Sequence, residues 1–179
     1  MSRRCNAIMG RARRQTGNRE RRRPFSAQVA TEIVNYVCWL GSQFRQSSNR
    51  RELFVCGIDH IERHERALLA RMLNGGEGIT GLRSLPNVTV FLDDEDLTKR
   101  DLILAIGFDH LGYTDAVREY ERRGVIVYER VAASIYSRRM LESFGMDGAI
   151  RVSPLHCNSV ADIDRFLQIT RQISEAAAP

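Results

Sequence analysis

Hydrophobic and polar positions alternate over a short stretch near the C-terminal end of the chain. The alternation predicts a strand over residues 149–153 with two different faces: Ile150 and Val152 on one, and Ala149, Arg151 and Ser153 on the other. An arginine opposite two β-branched apolar residues is expected to point away from the core. The strand should end at Pro154, because proline has no N–H to donate to a sheet.

A helix is predicted directly after this strand. Ser159 and Asp162 have the spacing of a capping box, in which each side chain hydrogen-bonds the other residue's backbone. Apolar positions then recur at helical spacing and predict a buried face: Val160, Ile163, Phe166, Leu167, Thr170 and Ile173.

Two long helical patterns occupy the first half of the chain, over residues 26–44 and 50–74. The first has an apolar stripe formed by Val29, Ile33, Tyr36, Val37 and Leu40, and Trp39 is expected to be a packing residue. The second buries Leu53, Phe54, Ile58, Ile61, Leu68, Leu69, Met72 and Leu73. Gly75 and Gly76 end the second helix, and the glycine-rich residues 75–81 are interpreted as a mobile connector.

The remaining patterns predict three more strands and two more helices. The strands lie at 88–92, 102–106 (ended by Gly107) and 125–128, and the helices at 113–123 and within 129–147. The fold class is α/β of the α+β kind: two long helices, then a mostly antiparallel four-stranded sheet with helices on one face. The expected divisions are a tail at 1–24, the long helices at 25–76 and the sheet-containing domain at 77–179.

The basic charge of the chain is confined to its tail. The net charge is +5, but residues 1–24 contain nine arginines and only one acid, which leaves the rest of the chain at −3. The tail is expected to be disordered, and a nucleic-acid arm or an organelle presequence are its functional alternatives. An unstructured start without a role is favoured, because no aromatic residue separates these arginines. The acidic remainder lacks the electrostatic footprint of a nucleic-acid-binding protein.

Metal, disulfide and membrane sites are not indicated. Four cysteines lie far apart without C-x-x-C spacing, which favours a reducing cytoplasm over a zinc site or a disulfide framework. His60 and His64 are four residues apart but lack the H-E-x-x-H pattern. The acidic run 93–96 is interpreted as a solvated loop. The sequence has no run of eighteen apolar residues and no secretory signal pattern.

The sequence R-V-S-P-L-H-C-N-S-V-A-D-I-D-R-F-L at 151–167 resembles the end of the class V aminotransferase and cysteine desulfurase family. The family pattern is R-x-S-x-x-x-x-N-[ST]-x-x-[DE]-[IV]-[DE], and the chain matches each fixed position. Two further stretches are similar to the family: Leu82, Leu85, Pro86, Val88 and Val90 before and in the first strand, and R-G-V-I-V at 123–127. The resemblance covers residues 26–174.

The resemblance implies a pyridoxal-phosphate enzyme of fold type I, of which this chain is the C-terminal small domain. In that family the second long helix enters the small domain from a large one. The motif arginine binds the α-carboxylate of an amino-acid substrate, and Arg151 holds that position. Ser153, His156 and Asn158 are expected to shape the site around it.

The resemblance also implies that this chain does not carry the cofactor by itself. Pyridoxal phosphate is held by a lysine, and the family's lysine lies in the large domain. The single lysine here, Lys99, lies in an acid-rich loop between two small-domain strands, so no catalytic or cofactor-binding residue is assigned. The chain alone is therefore expected to be inactive.

The resemblance leaves several reactions open for a complete enzyme. Residues 129–136 have no cysteine where desulfurases carry their catalytic one, and Cys157 is interpreted as a small packing residue. Desulfuration by the usual route is therefore not expected, whereas transamination, epimerisation and C–S lyase-type elimination are left open for a complete enzyme.

The alternative is a non-catalytic interaction protein. Its long helices would pair with a separately encoded large-domain partner or with a homologue, as in a homodimer. Exposed apolar surface on the 26–74 helices would favour this alternative.

Overall fold

A computed structural model of the chain describes residues 22–176. It divides into two compact units, Met1–Ile58 and Asp59–Pro179, and the boundary falls inside the second helix. No helix within the described residues is both long and apolar enough to cross a membrane.

The first unit contains α1 (Arg22–Ser42) and the beginning of α2 (Arg50–Asn74), so both predicted long helices are confirmed. α1 begins three residues inside the predicted tail, and the rest of that tail, residues 1–21, lies outside the described residues. The two helices meet at glycines. A β-carbon on Gly41 would lie 1.9 Å from the Leu53 carbonyl oxygen, and one on Gly57 would lie 2.2 Å from that of Val37.

The apolar stripe of α1 is mostly exposed. Val37 is buried, but Val29, Ile33 and Tyr36 are exposed. Trp39, expected to be a packing residue, is 58% exposed. Within residues 22–58, α2 contacts α1 along the face that carries the small residue Gly41, which leaves the bulky side chains of the stripe in solvent.

The second unit is built on a four-stranded antiparallel sheet with the order β3-β4-β6-β5. Its strands are β3 (Val88–Val90), β4 (Leu104–Phe108), β5 (Tyr128–Val131) and β6 (Gly148–Val152). Its remaining helices are α3 (Tyr113–Arg122), α4 (Arg138–Ser143) and α5 (Val160–Glu175). The predicted fold class is confirmed: α+β, with helices followed by an antiparallel sheet.

Two strand predictions need correction. β4 was expected to end at Gly107, yet it continues through that residue, which pairs with Thr89. β5 begins at Tyr128, three residues later than expected. Val127 is part of the core and Val125 packs against it, but neither residue pairs with another strand. The short helix expected within 129–147 is confirmed as α4.

The core lies between one face of this sheet and three helical segments, which are the C-terminal half of α2, α3 and α5. Its central side chains are Leu68, Leu69, Met72, Leu73, Leu104, Ile106, Tyr120, Ile150, Phe166 and Leu167. A bidentate ion pair between Arg71 and Asp164 joins α2 to α5, with N–O distances of 2.8 and 3.0 Å. The predicted face of α5 is confirmed except at Val160, which is exposed because it lies in the first turn.

The glycine-rich connector forms a hairpin in place of the predicted mobile segment. Its strands, β1 (Gly75–Gly76) and β2 (Ile79–Thr80), pair in antiparallel register. Gly75 has φ +73°, and a β-carbon there would lie 2.1 Å from the Ile79 carbonyl oxygen, so the turn requires glycine.

The acidic run after β3 is less solvated than predicted, because Asp93 is held by two arginines. Arg83 donates to both of its carboxylate oxygens at 2.7 and 2.9 Å, and Arg100 donates to one at 3.0 Å. The hydrogen bonds from Arg83 hold the pKa of the Asp93 carboxyl below its usual range. The loop is therefore anchored to the end of the sheet by an ion cluster.

Candidate functional site

Arg151 lies in the middle of the sheet on the face opposite the helical core. Its neighbours in β6, Ile150 and Val152, are buried in that core, whereas the Arg151 side chain is only partly buried. In the pairing register Arg151 lies between Ala105 of β4 and Tyr128 of β5. The prediction that Arg151 points away from the core is confirmed, and we call its side of the sheet the outer face.

A cavity of about 360 Å³ opens on the outer face beside Arg151. Alanines at 105 and 149 form part of its floor, and their small side chains leave the space that the cavity occupies. Its walls include Phe91 after β3, Met140 of α4 and Phe144 directly after that helix. A volume of this size lies near the lower end of the range of small-molecule sites.

Three arginines and no acidic residue line this cavity, which we call the arginine cavity: Arg100, Arg130 and Arg151. The Arg100 guanidinium is paired with Asp93, 3.0 Å away, a carboxylate that it shares with Arg83. Among the described residues, neither the Arg130 nor the Arg151 side chain has a hydrogen-bonding or ion-pair partner. The arginine cavity therefore combines an apolar lining with two uncompensated positive charges.

Ser153 and Asn158 line a different cavity, of about 320 Å³, on the helical side of the sheet. Ser153 was expected to share a face with Arg151, and this expectation is wrong. The strand ends at Val152, so the alternation does not continue into the turn that Pro154 begins. The structure therefore separates these two residues from Arg151.

Asn158 stabilises the turn between β6 and α5. Its side-chain oxygen accepts a hydrogen bond from the Leu155 N–H at 2.8 Å, and its backbone oxygen lies 3.1 Å from the Nε2 atom of His64. The predicted capping box of Ser159 and Asp162 is confirmed. Hydrogen bonds from the Ser159 backbone N–H and hydroxyl hold the pKa of the Asp162 carboxyl below its usual range.

His156 and Cys157 lie in the same turn between β6 and α5. The Nδ1 atom of His156 lies 3.9 Å from Glu65, so the turn lies beside α2. Cys157 was expected to be a small packing residue, but it is exposed because the turn carries it outward.

Lys99 does not fit the role of a cofactor lysine. Its side chain is 70% exposed, its ammonium lies 3.2 Å from Asp96, and it is not part of the arginine cavity. A Schiff-base lysine is desolvated in an enclosed site, because desolvation favours the neutral amine that attacks the cofactor. Lys99 does not lie in an enclosed site. Across residues 22–176, no three histidine, cysteine or acidic side chains lie close enough to bind a metal.

Sequence reasoning missed Arg130 and the apolar walls of the arginine cavity. The strand expected at 125–128 stops before Arg130, so the residue was not placed in the sheet. The available signal was the alternation of Tyr128 and Arg130, which lie on the outer face on either side of Glu129.

Comparison with known proteins gives similarity of fold. No family model and no curated protein matches the sequence. Similar structures are a cysteine desulfurase of Thermococcus onnurineus (TM-score 0.58, 20% identity, 71% of this chain and 29% of that one), the Escherichia coli cysteine desulfurase CsdA (0.54, 16%, 75% and 33%) and a NifS-like protein of Rickettsia africae (0.52, 15%, 73% and 36%).

At these identities the similarity shows the fold alone. The aligned part corresponds to about a third of the length of each neighbour. The arrangement of helices and antiparallel sheet is consistent with the small domain of fold type I pyridoxal-phosphate enzymes.

Proposed function

We propose that this chain is the small domain of a pyridoxal-phosphate enzyme of the class V aminotransferase type, and that Arg151 binds the carboxylate of its amino-acid substrate. The observation that carries this proposal is the position of Arg151. Its guanidinium lines a cavity on the outer face, away from the core and without a carboxylate partner among the described residues. A planar guanidinium matches a carboxylate in a bidentate geometry.

The similar structures support this proposal, since each is a cysteine desulfurase or a NifS-like protein. In the proposal the cofactor is held by a large domain or a partner chain, because Lys99 is exposed and paired with Asp96. Ser153, His156 and Asn158 would position the turn that follows Arg151. Whether the complete enzyme performs transamination, elimination or epimerisation depends on that other part.

The carboxylate role is tested by titrating the ¹⁵N-labelled chain with propionate and following the Nε–H signal of Arg151 by NMR. In the wild-type chain we expect saturable shifts of this signal and of the backbone amide signal of Ala105, which pairs with Arg151. In the Arg151→Gln variant we expect the shift of the Ala105 amide to disappear. The Arg139→Gln variant is the matched control, since Arg139 is an exposed arginine of α4 that does not line the arginine cavity. Equal propionate binding by the wild-type chain and Arg151→Gln would refute the role.

The cofactor part of the proposal has a separate test. The chain is incubated with pyridoxal phosphate, reduced with borohydride and digested for mass spectrometry. We expect no stoichiometric adduct on Lys99, because its side chain is exposed, is paired with Asp96 and lies in no enclosed site that would hold the cofactor beside it. A stoichiometric adduct would show that this chain can hold the cofactor itself.

A second candidate, a non-catalytic interaction protein, is favoured by the exposed apolar stripe of α1. Val29, Ile33, Tyr36 and Trp39 all lie in solvent on this helix. Such a surface would pair with a large-domain partner or with a second, homologous chain. Analytical ultracentrifugation tests the homologous pairing: a concentration-dependent dimer that Ile33→Lys disrupts supports it, and a monomer at all concentrations counts against it.

A further inference from the structure

The arginine cavity contains a second arginine that the carboxylate role of Arg151 does not use. Resting on that role, we propose that the cavity selects carboxylates with a large apolar body and that Arg130 provides a second positive charge for the same anionic group. The substrate class is therefore an α-amino acid with a large apolar or aromatic side chain. Small or polar amino acids should bind more weakly, because they lack an apolar body to contact the lining.

Arg130 and Arg151 are neighbours on the outer face of the sheet. Arg130 pairs with Ala149, whereas Arg151 pairs with Tyr128, so the two arginines are diagonal neighbours. Diagonal neighbours on antiparallel strands lie about 7–8 Å apart, which places one anion within reach of both long side chains. Both side chains are positively charged, and no acidic residue lines the cavity. A bound carboxylate would accept hydrogen bonds from both guanidinium groups.

Arg100 does not take part in this anion site. Its guanidinium donates to Asp93, and Arg83 binds the same carboxylate. Asp93 is shared between the two arginines, so its single negative charge offsets only part of their positive charge. The Arg100 guanidinium is nevertheless held by this carboxylate, whereas those of Arg130 and Arg151 have no carboxylate partner among the described residues.

The rest of the lining favours an apolar ligand body. Phe91, Met140 and Phe144 form walls without hydrogen-bonding groups, and the alanine floor leaves the space open. A polar side chain buried there would lose its hydrogen bonds to water without replacement. Methionine adapts its shape to apolar ligands and makes favourable contacts with aromatic rings, which suits an aromatic or branched body.

The test compares three probes of the two halves of this ligand by NMR on the ¹⁵N-labelled full chain. The probes are 3-phenylpropionate, propionate and 3-phenylpropanol, which carry both halves, the anion alone and the apolar body alone. We expect 3-phenylpropionate to shift the amide signals of Ala105 and Ala149 and to bind about tenfold more tightly than either other probe.

Two variants separate the halves. Arg130→Gln should weaken 3-phenylpropionate about tenfold, whereas the control Arg139→Gln should leave it unchanged. Ala105→Val keeps a residue suited to a strand but narrows the cavity floor. It should remove the advantage of 3-phenylpropionate over propionate while propionate binding persists.

Each failure points to a different error. If Arg151→Gln weakens binding and Arg130→Gln does not, the role of Arg130 is wrong and the proposed function stands. Equal affinity for 3-phenylpropionate and propionate overturns the apolar selectivity alone. If 3-phenylpropanol binds as tightly as 3-phenylpropionate, the anion site is wrong. If Arg151→Gln weakens none of the three probes, both this inference and the proposed carboxylate role are wrong.

Discussion

The hydroxyl of Tyr120 donates a buried hydrogen bond to the Oγ1 atom of Thr170, 2.7 Å away. The direction follows from the other bond of Thr170, whose single hydroxyl proton goes to the Phe166 carbonyl oxygen at 2.8 Å. The Tyr120 ring also stacks on Phe166, with centroids 5.7 Å apart. Burial raises the pKa of the Tyr120 phenol above its usual range, so it stays a neutral donor. This contact fixes α3 against α5.

The direction of this bond predicts unequal costs for removing its two partners. Thr170→Val leaves the buried Tyr120 hydroxyl without an acceptor and should destabilise the chain by about 2 kcal/mol. Tyr120→Phe removes the donor but leaves Thr170 bonded to Phe166, and should cost only about 1 kcal/mol. Urea unfolding of both variants and the wild type measures the difference. A larger loss in Tyr120→Phe would mean that the bond runs from Thr170 to Tyr120.

The ion cluster at Asp93 predicts acid sensitivity. Arg83 lowers the pKa of the Asp93 carboxyl in the folded chain. The cluster therefore stabilises the folded chain fully at pH values above the unfolded pKa of this carboxyl, which is about 4. That contribution is lost as the pH falls through the lower, folded pKa. Asp93→Asn should therefore cost about 1 kcal/mol at neutral pH, a modest value because the pair is partly solvated.

The same variant provides the check on this pH dependence. Unfolding free energies of the wild type and Asp93→Asn should begin to converge below about pH 4, where the unfolded carboxyl becomes protonated. They should meet only below the lowered folded pKa, where the folded carboxyl is protonated as well. A gap of constant size from neutral to acidic pH would show that the substitution acts through packing and that the charge is irrelevant.

The glycine contact between α1 and α2 predicts that Gly57→Ala destabilises the chain, although alanine has a higher helix propensity than glycine. Alanine in place of Gly57 should favour an isolated helix by about 1 kcal/mol. In the folded chain its β-carbon would lie 2.2 Å from the Val37 carbonyl oxygen, so the helices must separate. We expect Gly57→Ala to destabilise the helix pair by about 1–3 kcal/mol in thermal unfolding followed by circular dichroism. Arg51→Ala, at an exposed position of the same helix, should change stability little.

Trp39 gives a direct test of the exposed stripe on α1. It is the only tryptophan, so the intrinsic fluorescence of the chain reports on this one residue. With its side chain 58% exposed, its emission should be nearly as red-shifted as in the unfolded chain and readily quenched by acrylamide. Blue-shifted emission that persists on dilution would show that the stripe is covered within the chain. A blue shift only at high concentration would instead show self-association.

The parts of the fold that sequence predicts well are those with a local physical cause. The capping box at Ser159 and Asp162 combines a specific hydrogen-bond pattern with an apolar helical face, and α5 begins where expected. The orientation of Arg151 follows from strand alternation next to Ile150 and Val152. Neither inference requires knowledge of what the element packs against.

The parts that sequence misses depend on distant partners. Val125 and Val127 have the composition of a strand, but no neighbouring strand pairs with them, and β5 begins only at Tyr128. Arg130 was missed for that reason, although its strand position gives it a place in the arginine cavity. The stripe on α1 was recognised as apolar, but periodicity alone cannot say whether a partner covers Trp39.

The position of β6 between β4 and β5 governs when the sheet can form during synthesis. β4 and β5 are complete well before β6 emerges, yet they do not pair with each other, and β6 is hydrogen-bonded to both. The sheet therefore assembles only after Val152 has left the ribosome. Until then the unpaired edges of β4 and β5 are open to other chains, and a product truncated before residue 148 would retain only the β3–β4 pair of the sheet. During synthesis, the edges of β4 and β5 therefore stay without their hydrogen-bonding partner until residues 148–152 have emerged.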